Sequence, residues 1–183
     1  MKLLLVRHAR TIAVNGLCYG RADIPALPEA TRAVAESVAP LLPAGAALHC
    51  SPLSRCADLA KTLAGLRPDL PAAVSDPRIA EMDFGEWEER LWSDIGRAAI
   101  AAWARGFADT RAGRTGESAP QFLRRVAGAF DAWRRSGRDA VWITHAGVIR
   151  AAWLLRDGIR VVERADQWPD QPIAFGECVT IEC

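Results

Sequence analysis

Five short apolar runs of strand length, separated by longer stretches of helical periodicity, constrain this chain more than any other feature. They fall at residues 2–6, 46–50, 72–75, 140–144 and 179–182. Leu3-Leu4-Leu5-Val6 is apolar at every position, the pattern of a parallel strand buried on both faces. Helical stretches intervene: 29–42 behind Pro28, 53–66 behind Ser51-Pro52 with the serine as cap, and 146–155 behind Thr144-His145. Such alternation predicts an α/β fold, a three-layer α/β/α arrangement around a mostly parallel, doubly wound sheet.

At 183 residues and 50% hydrophobic, the chain can bury a core and reads as one domain, 1–183. Residues 87–136 interrupt the alternation with two helical patterns around a polar, glycine-containing stretch at 106–120. That segment reads as a helical insertion over the sheet's carboxyl edge. Trp92, Ile95, Ala99 and Trp103 share one helical face, either packed on the core or walling a cleft.

A net charge of +1 offers no field for nucleic acid or for a membrane surface, and no apolar run is long enough to span a bilayer. With no secretion-signal pattern, and five cysteines lacking a C-x-x-C pair, the chain reads as a cytoplasmic protein with reduced thiols. The three histidines lie in separate segments without ligand spacing, so neither a metal nor another cofactor is expected.

In a doubly wound sheet, the residues just past different strands converge on one crevice. Four segments bring chemistry there. Arg7-His8 follows the first strand, with His8 between Arg7 and Arg10. Arg55 lies in the first helical turn after the second strand, where a cation opposes the helix dipole unless it serves an anion. Glu81 precedes the insertion, and His145 follows the fourth strand. Individually, Arg55 reads as well as a surface ion-pair partner, His145 as a structural imidazole and Glu81 as a loop carboxylate. Jointly they suit a phosphate: arginine grips it through parallel charge-assisted bonds, and a neutral imidazole aimed at phosphorus is a nucleophile.

These motifs in this order (R-H-A-R-T, S-P-L-S-R, E-M-D-F-G-E-W-E, G-E-S and T-H-A-G-V-I-R) resemble the histidine phosphatase superfamily nearly end to end. The resemblance implies a metal-independent phosphomonoester hydrolase acting on a small molecule, as monomer or homodimer. His8 would become phosphohistidine, and Glu81 would be the general acid. Arg7, Arg55, His145 and Thr11 would hold the phosphate, with the amides around Ala146 at the helix start as further donors. Three positions depart from the family: Ala9 and Glu89 stand where glycine is usual, and Val14 stands where asparagine is usual, with Asn15 one place on. The segment C-Y-G-R-A-D-I-P-A-L resembles alpha-ribazole phosphatases, whose leaving group Tyr19, Trp87 or Trp92 would stack on. Two alternatives stay open. One is a phosphoglycerate mutase-like or sugar-phosphate enzyme, with Arg97, Arg105, Arg111 and Arg114 for a second phosphate. The other is an inactive phospho-ligand binding module.

Overall fold

The computed structural model describes residues 1–182. Five strands form one sheet: β1 (Lys2–Arg7), β2 (Ala47–Cys50), β3 (Val74–Ser75), β4 (Ala140–Thr144) and β5 (Cys178–Glu182), in the order β3-β2-β4-β1-β5. The three contacts among β1 to β4 are parallel, and β5 joins β1 antiparallel. The third apolar run pairs over only two residues, because Ala72 and Ala73 precede the ladder.

Alternation along the buried strands divides the core into two. Leu3, Leu5, Ala140 and Trp142 face one side, where α5 (Ala119–Ser136) and α6 (Ala146–Arg156) supply Phe122, Phe130, Ile149 and Leu155. Leu4, Val6, Val141 and Ile143 face the other, covered by α1 (Pro28–Val38) and α2 (Ser54–Leu66). Three layers result because β1 and β4 are apolar on both faces.

Three local expectations are corrected. The first helix ends at Val38 and tightens into a 3₁₀ turn, Ala39–Leu41, because Pro40 has no amide to continue the ladder. The 92–103 face is carried by two helices, α3 (Trp92–Ile95) and α4 (Arg97–Arg105), broken at Gly96 with φ 83°. Ser51 is not the cap of α2. That helix starts behind Leu53, and its first amide is satisfied from outside, Ser54 N–H donating to Asp23 Oδ1 at 2.7 Å. By contrast α5 carries a capping box, Ser118 with Gln121, and ends on Gly137 in the left-handed region.

Candidate active site

Strand register puts the two histidines together. Arg7 pairs with Thr144 as the last rung between β1 and β4, and His8 N–H then donates to Thr144 O at 2.9 Å. His8 and His145 are therefore the next residues off two adjacent parallel strands. Their rings meet edge to face at 5.1 Å between centroids. Ser51 enters the same way, one residue past the Cys50–Ile143 rung.

A hydrogen bond fixes the tautomer of His8. His8 Nδ1 lies 2.8 Å from the carbonyl of Ala9, which only accepts, so Nδ1 carries the proton and Nε2 keeps its lone pair. Burial, then the charge of Arg55 and that of Arg7, push His8 down to about 3, against the opposing Ala9 bond. His145 Nε2 is 2.8 Å from Ser51 Oγ and 3.5 Å from Cys56 Sγ, and with the Ser51 hydroxyl donating to Nε2 the ring proton sits on Nδ1. His145 Nδ1–H is then a buried donor without a protein partner. Burial, followed by Arg55, His8 and Arg7, holds His145 well below the usual histidine range, so it donates as a neutral ring.

Two guanidiniums complete the cup, the expected Arg7 and Arg55. Arg10 is exposed, and the second cation beside His8 is Arg55, fully buried in α2. Its Nη1 and Nη2 donate to Ala22 O at 2.8 Å and Gly20 O at 2.6 Å, and its Nε has no partner. Three of its five N–H groups stay free for an anion. Arg7 donates to Ile173 O, lies 4.0 Å from the Phe175 ring centre, and also leaves Nε unpartnered. Arg7 Nε, Arg55 Nε and His145 Nδ1 are thus three buried donors lacking acceptors, and buried donors ordinarily have one.

Glu81 is delivered to the same end of the sheet. Thr144 Oγ1 donates to Ile79 O at 2.7 Å, tying the tip of β4 to the turn before it. The Glu81 carboxylate accepts from Gly147 N–H at 3.1 Å and from Met82 N–H at 3.0 Å. It therefore caps α6, and the Gly147 amide expected to serve phosphate is engaged by the carboxylate instead. Ala146, half-buried, opens that helix. A further pair escaped the sequence reading. Arg125 binds the carbonyls of Pro77, Arg78, Ala80 and Glu81, and its Nε and Nη2 grip Glu117 at 2.8 and 2.7 Å. Glu117 in turn accepts from Asp83 N–H at 3.0 Å, so the pair braces the acid loop on both sides. Nothing local in the sequence pairs residues 117 and 125 with that loop.

The remaining expected residues lie elsewhere. Thr11 is buried, and its hydroxyl donates to Tyr19 OH at 3.1 Å, making it a loop brace. Asn15 is exposed in the turn closed by Leu17 N–H on Val14 O, and no hydrogen bond or ring contact ties it to the cup. Ala9 is buried without a positive φ, so that turn needs no glycine, whereas Glu89 sits at φ 61°.

Beside Glu81 opens a cleft of about 380 Å³, lined by Phe84, Trp103, Phe107, Phe122, Trp168 and Arg150 together with Glu81 and Gly147. Of the aromatics expected to wall a cleft or stack on a leaving group, Trp103 alone lines it. Trp87 is buried in the core, Trp92 packs on Phe84 and Trp87, and the Tyr19 ring stacks over Arg55.

The family model for the histidine phosphatase superfamily (branch 1) matches residues 3–167. The chain belongs to the histidine phosphatase superfamily. It is accordingly a phosphatase acting on a small phosphorylated molecule. No curated protein matches it. Among solved structures, this histidine phosphatase is similar to the alpha-ribazole phosphatase of Shigella flexneri. The identity is 25% and the TM-score 0.82, over 100% of this chain and 90% of that one. A putative alpha-ribazole-5'-P phosphatase of Escherichia coli shares 26% identity at TM-score 0.75, over 87% of this chain and 80% of the other. A mycobacterial glucosyl-3-phosphoglycerate phosphatase shares the fold, with 21% identity and TM-score 0.80 over 99% and 89%. No described helix is long and apolar enough to cross a membrane.

Proposed function

We propose that this histidine phosphatase hydrolyses alpha-ribazole 5'-phosphate, an alkyl phosphomonoester whose alcohol carries an aromatic base, through a phosphohistidine on His8. The observation that carries the substrate class is the aromatic cleft joined to the cup at Glu81. Five of its lining residues are Phe or Trp (Phe84, Trp103, Phe107, Phe122 and Trp168), and its only basic lining residue is Arg150. A flat heterocycle stacked there gains about 1–3 kcal/mol. The similarity to two alpha-ribazole phosphatases supports the same reading.

The chemistry runs in two in-line displacements. His8 Nε2 attacks phosphorus while the P–O bond to the leaving group breaks. Arg7, Arg55 and His145 Nδ1–H hold the equatorial oxygens, where the loose transition state spreads its charge. Glu81 gives its proton to the departing oxygen, then takes one from the water that attacks phosphohistidine, releasing phosphate and restoring His8. A neutral His8 suits the first step, and the surrounding cations that keep it neutral also draw in the dianion.

A mutase would need a second phosphate holder. Arg97 and Arg105 are exposed, Arg111 donates to Thr115 O and Gly116 O, and Arg114 pairs with Glu86 at 3.5 Å. None of the four lines the cleft. Comparing kcat/KM for alpha-ribazole 5'-phosphate, 3-phosphoglycerate and hexose phosphates tests the assignment. Alpha-ribazole 5'-phosphate ranks first on this account. If it ranks among the poorest, the substrate assignment falls and the phosphatase chemistry stands.

A further inference from the structure

We infer that Glu88 is a positioning residue for the phosphate site, acting through the Gly20–Ala22 backbone on Arg55. Its carboxylate collects four backbone amides from two separate loops. One oxygen accepts from Arg21 N–H at 2.9 Å and Phe84 N–H at 2.8 Å, the other from Gly20 N–H at 2.8 Å and Ala22 N–H at 3.0 Å. On the opposite side of the same segment, the Gly20 and Ala22 carbonyls receive the Arg55 guanidinium at 2.6 and 2.8 Å. Glu88 thus holds the Gly20–Arg21 peptide group, whose carbonyl receives Arg55 Nη2, and fixes Ala22, whose carbonyl receives Nη1, while Phe84 N–H ties that assembly to the loop that carries Glu81.

Two observations show that the arrangement is built for closeness. Gly20 has no room for a side chain, since a Cβ there would stand 1.8 Å from the Met82 carbonyl oxygen and 3.0 Å from Glu88 Oε1. Arg55 is fully buried with an unpartnered Nε, so its direction depends on the carbonyls that hold its other nitrogens. An arginine free to swing would not need such a frame, and a 1 Å displacement of a phosphate-binding group costs up to about 100-fold in rate.

The inference rests on the reading of Arg55 as a phosphate ligand, and its test separates the two. Glutamine at 88 keeps the shape but fails, because each carboxylate oxygen faces two N–H donors. Whichever way the amide is turned, its NH₂ opposes two of them. The probe is inhibition by orthovanadate, a mimic of the phosphoryl transition state, with thermal unfolding measured alongside. Glu88→Gln weakens vanadate by about 10- to 100-fold, and Glu88→Asp, which keeps the acceptors but shortens the reach, falls between it and wild type. Added to Arg55→Ala, Glu88→Gln gives no further loss, because the pathway is already gone. Additive losses, or wild-type vanadate affinity in both Glu88 variants, overturn the inference while leaving the phosphate site intact. Wild-type affinity in Arg55→Ala itself overturns the site reading and this inference together. Should Glu88→Gln not fold, the Glu88→Asp pair with and without Arg55→Ala carries the same cycle.

Discussion

The amide of Gly147 donates to one oxygen of Glu81, and a Cβ on Gly147 would stand 2.1 Å from the other. The first residue pair of the α6 turn is therefore shaped around a carboxylate from a different loop. Because the atom in the way is the end of a flexible side chain, Gly147→Ala should move the acid and spare the fold. We expect kcat on an alkyl phosphate to fall about 10- to 100-fold, with the unfolding temperature close to wild type. A large drop in that temperature with unchanged kcat would refute it.

Glu81→Gln removes the proton but keeps the size. With a poor leaving group the loss should be about 10²–10⁴-fold, and smaller with p-nitrophenyl phosphate, whose phenolate leaves without help. Steady-state kinetics on the two esters gives the comparison, and equal losses on both would assign Glu81 a role other than proton donor.

Acid stability should report on the buried imidazoles. His8 has its folded value near 3, against about 6.5 when unfolded. Above pH 6.5 neither state binds the proton, so the group contributes no slope there. Between 6.5 and about 3 the unfolded chain takes it up and the folded one does not, so stability falls as pH falls, by up to about 1.4 kcal/mol per unit. His8→Asn removes that contribution. Chemical denaturation from pH 7 to 5 should show a shallower decline for the variant, and parallel curves would contradict the burial of a neutral His8.

Glu89 occupies a left-handed backbone position, φ 61°, while its side chain is exposed. Replacing it by glycine removes the Cβ clash and should stabilise the protein by about 1 kcal/mol, raising the unfolding temperature. A loss of stability would show that the Glu89 side chain matters more than its backbone.

What was legible beforehand was set by chain-local patterns. The apolar runs announced β1 and β4, and parallel pairing then carries His8 and His145 to the same level. The helical periodicity gave α2 and Arg55. Of the aromatic cleft only Trp103 was legible, because Phe84, Phe122 and Trp168 meet only once three distant segments fold together. Their spacing says nothing of which ring faces a cavity and which, like Trp87, fills the core. Arg10, although it flanks His8 in sequence, lies in a loop that turns it outward, and the second cation of the cup is Arg55, as its place in the first turn of α2 implied. Glu88, Arg125 and Glu117 bind backbone groups of other loops, and such partnerships leave no periodic trace. Glycine in place of a side chain did leave one: Gly20 lies in the segment that resembles alpha-ribazole phosphatases, and Gly147 in the motif around His145.

The central claim is that His8 carries phosphate between the two displacements. Glu81→Gln should accumulate this species with ³²P-labelled p-nitrophenyl phosphate, since phosphorylation by an activated ester continues while hydrolysis lacks its base. Quenching in alkali and mapping the label should place it on the peptide containing His8, stable to base and labile to acid, and absent in His8→Ala. Label on another residue, or rapid turnover by His8→Ala, would contradict the account.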